Sequence, residues 1–172
     1  MNSTRHDAIT VTVPTQQRMH ALGLRLTNLL EAGDLVVLDG ELGAGKTTLT
    51  QGIGEGLGVR GPVTSPTFVL ARTHPSLAGG PALIHVDAYR LSGWDEVEDL
   101  DLVSEMSTAV TVVEWGGGVA TGLATAWLWV LIDRPTVTND DVDMRTVTIG
   151  AQGARWADVD LGQLRDEEPG DR

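Results

Sequence analysis

The chain has 172 residues, 24 of them acidic and 12 basic, a formal net charge of -12 and no cysteine. That length suits one domain with a sizeable core, and the missing cysteines exclude a disulfide scaffold, a thiolate metal site and a cysteine nucleophile. The acidic balance argues against bare nucleic acid or an anionic membrane surface as a direct partner, since both are bound through Lys and Arg.

Ile9 to Val13 alternates apolar and polar residues and predicts a half-buried strand. Pro14-Thr15 opens a helix with Met19, Leu22, Leu26, Leu29 and Leu30 on one stripe, and Gly33 is placed to end it. Leu35-Val36-Val37-Leu38 is a continuous apolar run, the pattern of a strand covered on both faces. A glycine-rich loop follows, then a helix from Thr47 to Leu57, weakened by Gly52, Gly54 and Gly56. Gly61 to Thr67 is a loop by composition. Phe68 to Arg72 and Ala82 to Val86 predict two strands of a hairpin. Trp94 to Leu100 and Leu102 to Met106 are short acidic helical pieces. Ala109 to Val113 is another buried strand, and Trp127 to Ile132 and Arg145 to Ile149 are late strands. The order of elements predicts a three-layer α/β domain with a mostly parallel sheet over residues 1–160. Residues 161–172 read as an acidic, flexible tail. No run reaches the roughly 18 apolar residues of a membrane helix. Met1 to Asp7 lacks the apolar stretch of a signal peptide, so a cytoplasmic protein is the expectation.

The basic residues are eleven arginines and one lysine, and that lysine is Lys46. It sits in Gly40-Glu41-Leu42-Gly43-Ala44-Gly45-Lys46-Thr47, which satisfies the G-x-x-x-x-G-K-[ST] phosphate-loop pattern in full. Glycines let the backbone turn sharply and aim N–H groups at phosphate oxygens. The helix that follows presents its positive end to the same anion. Lys46 reaches the β and γ phosphates, Thr47 offers a hydroxyl to Mg²⁺, and Thr48 is placed for a second hydroxyl contact. A nucleoside triphosphate site is the strong signal. The sequence has no Asn-Lys-x-Asp stretch, so guanine selectivity of the Ras-like kind has no support, which favours ATP.

Such a site needs a carboxylate at the carboxyl end of a buried strand to hold Mg²⁺ or orient water. Asp87, after Leu83 to Val86, and Glu114, after Val110 to Val113, both qualify, and spacing does not rank them. Thr67, in Thr64-Ser65-Pro66-Thr67, lies where many P-loop enzymes keep a loop that senses the γ-phosphate. His85 reads as a packed strand residue and Trp115 as core packing.

Taken together, these residues resemble the TsaE (YjeE) family, small P-loop ATPases of bacterial tRNA threonylcarbamoyladenosine biosynthesis. The likeness runs in order through Gly40 to Thr48, Ser65-Pro66-Thr67, His85-Val86-Asp87-Ala88-Tyr89-Arg90-Leu91 and Val113-Glu114-Trp115. It implies a P-loop NTPase sheet, parallel in the middle and antiparallel at its flanks. It also implies ATP and Mg²⁺ as ligands, slow hydrolysis alone, and two partner proteins, TsaB and TsaD, which would meet the RNA. Carried over by position, Lys46 and Thr47 match the phosphate and Mg²⁺ contacts, and Asp87 a water-orienting or Mg²⁺-linked acid. Glu114 matches a group bearing on Mg²⁺, Thr67 the switch-like loop, and Trp115 a residue near the nucleotide. Where the family often has proline after Glu-Trp, this chain has Gly116-Gly117-Gly118, which predicts a looser loop. The late arginines Arg134 and Arg145 are candidates for touching nucleotide, and Thr136 to Asp143 matches no motif. Two other readings stand beside the ATPase: a nucleotide-dependent binding module whose hydrolysis is incidental, and a small-molecule kinase.

Overall fold

The computed structural model describes residues 5–66, 70–91, 95–96, 102–135 and 144–166. Seven strands form one mixed sheet: β1 (Arg5–Val13), β2 (Leu35–Gly40), β3 (Ala71–His74), β4 (Ala82–Asp87), β5 (Ala109–Glu114), β6 (Trp127–Asp133) and β7 (Arg145–Gln152). Their order is β1-β7-β6-β2-β5-β4-β3. The inner strands β6, β2, β5 and β4 run parallel to one another. The outer pairings β1–β7, β7–β6 and β4–β3 are antiparallel, and the last of these is the expected hairpin. The expected strand at Phe68 appears as Ala71–His74, and Phe68 and Val69 lie outside the described residues.

Strand periodicity explains the packing. Val36 and Leu38 of β2, Val110 and Val112 of β5 and Leu128, Val130 and Ile132 of β6 point to one face. There they meet Met19, Leu22 and Leu26 of α1 (Gln16–Leu26) and Leu49, Ile53 and Leu57 of α2 (Lys46–Leu57). Alternate residues Leu35, Val37, Ile84, Val86 and Val113 point the other way. They pack with Met106, Val119 and Ala120 from short one-turn helices. Strands covered on both faces lose the polar alternation of a half-exposed sheet, and for this reason β2 and β5 read as unbroken apolar runs.

The glycines of α2 are explained by its partner. A Cβ on Gly52 would run into the His20 carbonyl of α1, one on Gly56 into the Thr27 side chain, and one on Gly23 of α1 into the Leu49 carbonyl. The helical propensity lost at these positions is exchanged for backbone-to-backbone approach of two helices. The first helix also ends earlier than the Leu29-Leu30 stripe predicts. Thr27 Oγ1 donates to the Leu24 carbonyl at 2.6 Å, and the chain turns there. Leu29 and Leu30 remain buried in the turn that follows, and Gly33 adopts φ +95° within it.

Residues 161–164, assigned to the tail by composition, form a 3-10 turn whose Leu161 and Leu164 are buried in the α1–α2 core cluster. Asp166 lies 2.9 Å from an Arg25 terminal nitrogen. Residues 167–172, Thr136 to Asp143 and most of the helical piece at Trp94 to Leu100 lie outside the described residues. Among the described residues no helix is long and apolar enough to cross a membrane.

Candidate active site at the carboxyl edge of the sheet

Leu38 and Asp87 both register with Glu114, so the carboxyl ends of β2, β4 and β5 lie side by side. The chain leaves β2 into α2 on one face of the sheet and leaves β5 into short helices on the other. Adjacent strands whose connections diverge leave a crevice at their carboxyl ends, the favoured ligand position of an open α/β sheet. A cavity of about 610 Å³ lies there. Gly43, Gly45, Lys46, Thr47 and Thr48 line it from the loop, Asp87, Glu114 and Trp115 from the strand ends. Of the residues expected to carry function, Gly40, Glu41 and Ala44 do not line the cavity and Thr67 lies outside the described residues, whereas Ser65, two positions before it, reaches the cavity.

The loop from Gly40 to Gly45 turns on two positive-φ glycines, Gly43 at +77° and Gly45 at +116°. Gly45 stands at the N-cap of α2, in the left-handed region that glycine tolerates and side-chain-bearing residues resist. Lys46 is 6% exposed. Its Nζ donates to the carbonyls of Gly40 at 2.7 Å and Glu41 at 2.9 Å and lies 4.2 Å from the Trp115 ring centroid. Burial pushes the Lys46 ammonium below its usual pKa, and the negative charges of Glu114, Asp87 and Asp39 oppose that shift. Glu41 and Leu42 lie on the exposed outer turn of the loop, and Ala44 is buried beneath it.

On the opposite wall, Glu114 is 3% exposed. Its Oε1 accepts no hydrogen bond, and His85 Nε2 stands 3.5 Å away. Asp87 Oδ1 accepts the Tyr89 N–H at 3.0 Å, which shapes the turn after β4. Trp115 adopts φ +60°, a conformation with a steric cost for any residue with a Cβ. Its N–H bonds the Leu38 carbonyl at 2.8 Å, and its ring lies 5.2 Å from that of Tyr89. Trp115 therefore faces the lysine and lines the cavity rather than serving as core packing. The three glycines after it form a 3-10 turn. A Cβ on Gly116 would press on Val113 and one on Gly117 would stand 3.1 Å from an Asp39 oxygen, so close approach accounts for these two, whereas Gly118 faces open space.

Several site residues escape the sequence motifs. Asp39 precedes the first loop glycine. Burial raises its carboxyl pKa, opposed by the Gly117 N–H bonded to it and by Lys46. Thr15, Gln16 and Met19 bring the start of α1 to the cavity, and a Cβ on Gly45 would stand 3.3 Å from Met19 Cε. The sequence places Pro14-Thr15 at the opening of a helix, and only the fold brings Thr15 to the loop. Arg145 also lines the cavity, and the Arg134 guanidinium lies beside Gly43.

A family model described as threonylcarbamoyl adenosine biosynthesis protein TsaE matches residues 13–142. The chain belongs to the TsaE family. The tRNA threonylcarbamoyladenosine biosynthesis protein TsaE of Streptomyces coelicolor is 60% identical over 147 residues, 85% of this chain and 99% of that one. The protein of the same name from Bacillus subtilis is 39% identical over 125 residues, covering 72% of this chain and 73% of its own. The crystal structure of Bacillus subtilis YdiB superposes with a TM-score of 0.68 at 28% identity, over 90% of this chain and 92% of that one. The stretch matched to the TsaE model contains the loop, both strand-end acids and Trp115, and it ends before Arg145.

Proposed function

We propose that this chain is a P-loop ATPase that binds Mg²⁺-ATP in the cavity and hydrolyses it in the service of tRNA threonylcarbamoyladenosine formation. The observation that carries this reading is the meeting of the Gly40–Thr48 loop, Lys46 and buried Glu114 around one crevice. The biosynthetic role for which its relatives are named supplies the tRNA pathway. TsaB and TsaD are the partners that the family resemblance implies. They would account for an acidic protein acting in an RNA pathway, because they rather than this chain would touch the RNA. The sheet and its flanking helices, with Leu161 and Leu164 packed into the same core, then act as one P-loop NTPase unit, and the cytoplasm is its place of work.

The donor set suits a magnesium ion. The Thr47 hydroxyl, Asp87 and Glu114 are hard oxygen ligands, and one Glu114 oxygen is buried without a hydrogen-bond partner. Among the described residues no three His, Asp or Glu side chains cluster as a metal site by themselves. This fits an ion held jointly by one or two protein oxygens and the phosphates of its substrate. When bound, it neutralises charge on the β and γ phosphates.

The chain's own groups do the rest. Backbone N–H groups at the start of α2 bind phosphate oxygens, assisted by the helix dipole. Lys46 exchanges its bonds to Gly40 and Glu41 for phosphate oxygens and offsets the negative charge that builds up as the γ-phosphoryl group transfers. Glu114 or Asp87 orients a water for in-line attack. The water oxygen forms a bond to the γ-phosphorus, the bond from that phosphorus to the bridging oxygen breaks, and ADP leaves with the electron pair. The attacking water loses its proton to solvent or to phosphate oxygen through the carboxylate. Trp115, already packed on Lys46, closes the cavity beside the phosphates.

Hydrolysis of ATP measured with Mg²⁺, first by the chain alone and then with purified TsaB and TsaD, tests this reading. Slow turnover alone and strong stimulation by the pair are expected. Intact ATP binding with no stimulation would overturn the partner assignment, and absence of ATP binding would overturn the site.

A further inference from the structure

Arg145 is a buried cation at the cavity to which the mechanism above gives no part. It opens β7, is 8% exposed, and is fixed in place by pairing with Val13 of β1, while its neighbour Thr146 pairs with Asp133 of β6. Its Nε donates to the Ala44 carbonyl at 2.7 Å, and one terminal nitrogen donates to the Gly43 carbonyl at 3.4 Å. These contacts join positions 101 and 102 residues apart in sequence, across β6, the one strand that separates β7 from β2.

A phosphate loop imposes a geometric demand. The C=O and N–H of one peptide plane point in opposite directions, so a loop that turns N–H groups toward a phosphate turns carbonyls away from it. Those carbonyls need donors of their own. Lys46 serves Gly40 and Glu41 until it turns to phosphate, whereas Arg145 serves Ala44 and Gly43. The Ala44 carbonyl shares its peptide plane with the N–H of Gly45, the residue held at φ +116°. Holding that carbonyl on Arg145 therefore sets the direction of the Gly45 N–H. An arginine suits the task because its rigid fork presents several donors and its charge is permanent.

We propose that Arg145 is a positioning residue of the phosphate loop, which holds the Gly43 and Ala44 carbonyls so that the loop meets ATP in its binding shape. This deepens the ATPase reading and rests on it. The test is ATP titration by calorimetry of the wild-type chain and of Arg145→Met and Arg145→Lys, with thermal melts of each and turnover at saturating ATP. Arg145→Met should weaken ATP binding at least tenfold. Its turnover at saturating ATP should fall by a smaller factor, because Lys46 and Glu114 remain. Arg145→Lys, which can bond one carbonyl but not fork across two, should recover part of the affinity. If Arg145→Met does not fold, a folded Arg145→Lys with ATP affinity weakened several-fold still supports the proposal, and one with wild-type affinity overturns it. A folded Arg145→Met that binds ATP as tightly as wild type also overturns it. A wild-type chain that binds no ATP overturns the site itself, and this proposal with it.

Discussion

The two walls of the cavity are built on opposite terms. On the loop wall the carbonyls of Gly40, Glu41, Gly43 and Ala44 all have side-chain donors, and Thr50 Oγ1 bonds back to the Lys46 carbonyl at 2.8 Å. On the carboxylate wall Glu114 Oε1 lacks a hydrogen-bond partner, with His85 Nε2 3.5 Å away. A buried polar atom left so costs about 1–3 kcal/mol, a cost that chains bear mainly where the group has work to do. The loop wall is thus shaped by the chain alone, whereas the carboxylate wall has bonding capacity in reserve. That asymmetry is what a site needs if one side grips a phosphate and the other receives a cation and a reacting water.

Removing the cation that stands between the two walls has the largest expected effect. Lys46→Ala strips the Gly40 and Glu41 carbonyls and removes the charge facing Glu114. ATP hydrolysis should fall by about 10²–10³ or more, measured with circular dichroism alongside to show that the chain still folds. Wild-type turnover would break the role given to Lys46. Gly52→Ala acts behind the loop wall by forcing α1 away from α2 at the His20 carbonyl. It should cost about 1–3 kcal/mol as overpacking, read from the urea midpoint, despite alanine's better helix propensity. An unchanged midpoint would show that the helix pair is not the frame of the loop.

The smallest effect concerns His74, on the strand behind the carboxylate wall. Burial lowers its pKa below the usual 6.5, the Arg60 carbonyl bonded to Nδ1 opposes this, and nearby His85 and Arg72 lower it further. The unfolded chain therefore takes up the proton more readily than the folded one. The stability tied to a neutral His74 is fully present above about pH 6.5 and is lost as pH falls through the lower folded value. Urea midpoints at pH 7.5 and 5.5 should differ in that direction, and His74→Gln should reduce the difference.

The inner sheet was legible in the sequence for a physical reason. Strands β2 and β5 are buried on both faces and so carry unbroken apolar runs, and the phosphate pattern directly follows one of them. The end of α1 was not legible, because Leu29 and Leu30 continue the apolar stripe after the backbone has left the helix at Thr27. The α2 glycines read as weakness, since only the position of α1 shows why a side chain is excluded at Gly52. Asp39 and Arg145 belong to no motif. The first is recognised by its bond to the Gly117 turn, the second by a contact 101 residues distant, and both exist only once the sheet has assembled. The pairing of Lys46 with Trp115 is of the same kind, with the two residues on neighbouring connections of the folded sheet.

The most direct test of the two-wall account is Glu114→Gln, assayed for ATP affinity and for hydrolysis with Mg²⁺ on the same preparation. The substitution keeps the shape of the side chain and removes the Glu114 charge from the carboxylate wall, leaving Asp87 and the loop wall intact. The account predicts ATP affinity within about threefold of wild type, because the grip on phosphate comes from the loop, and turnover lowered by about 10² or more. A variant that binds ATP and hydrolyses it at the wild-type rate would contradict the account.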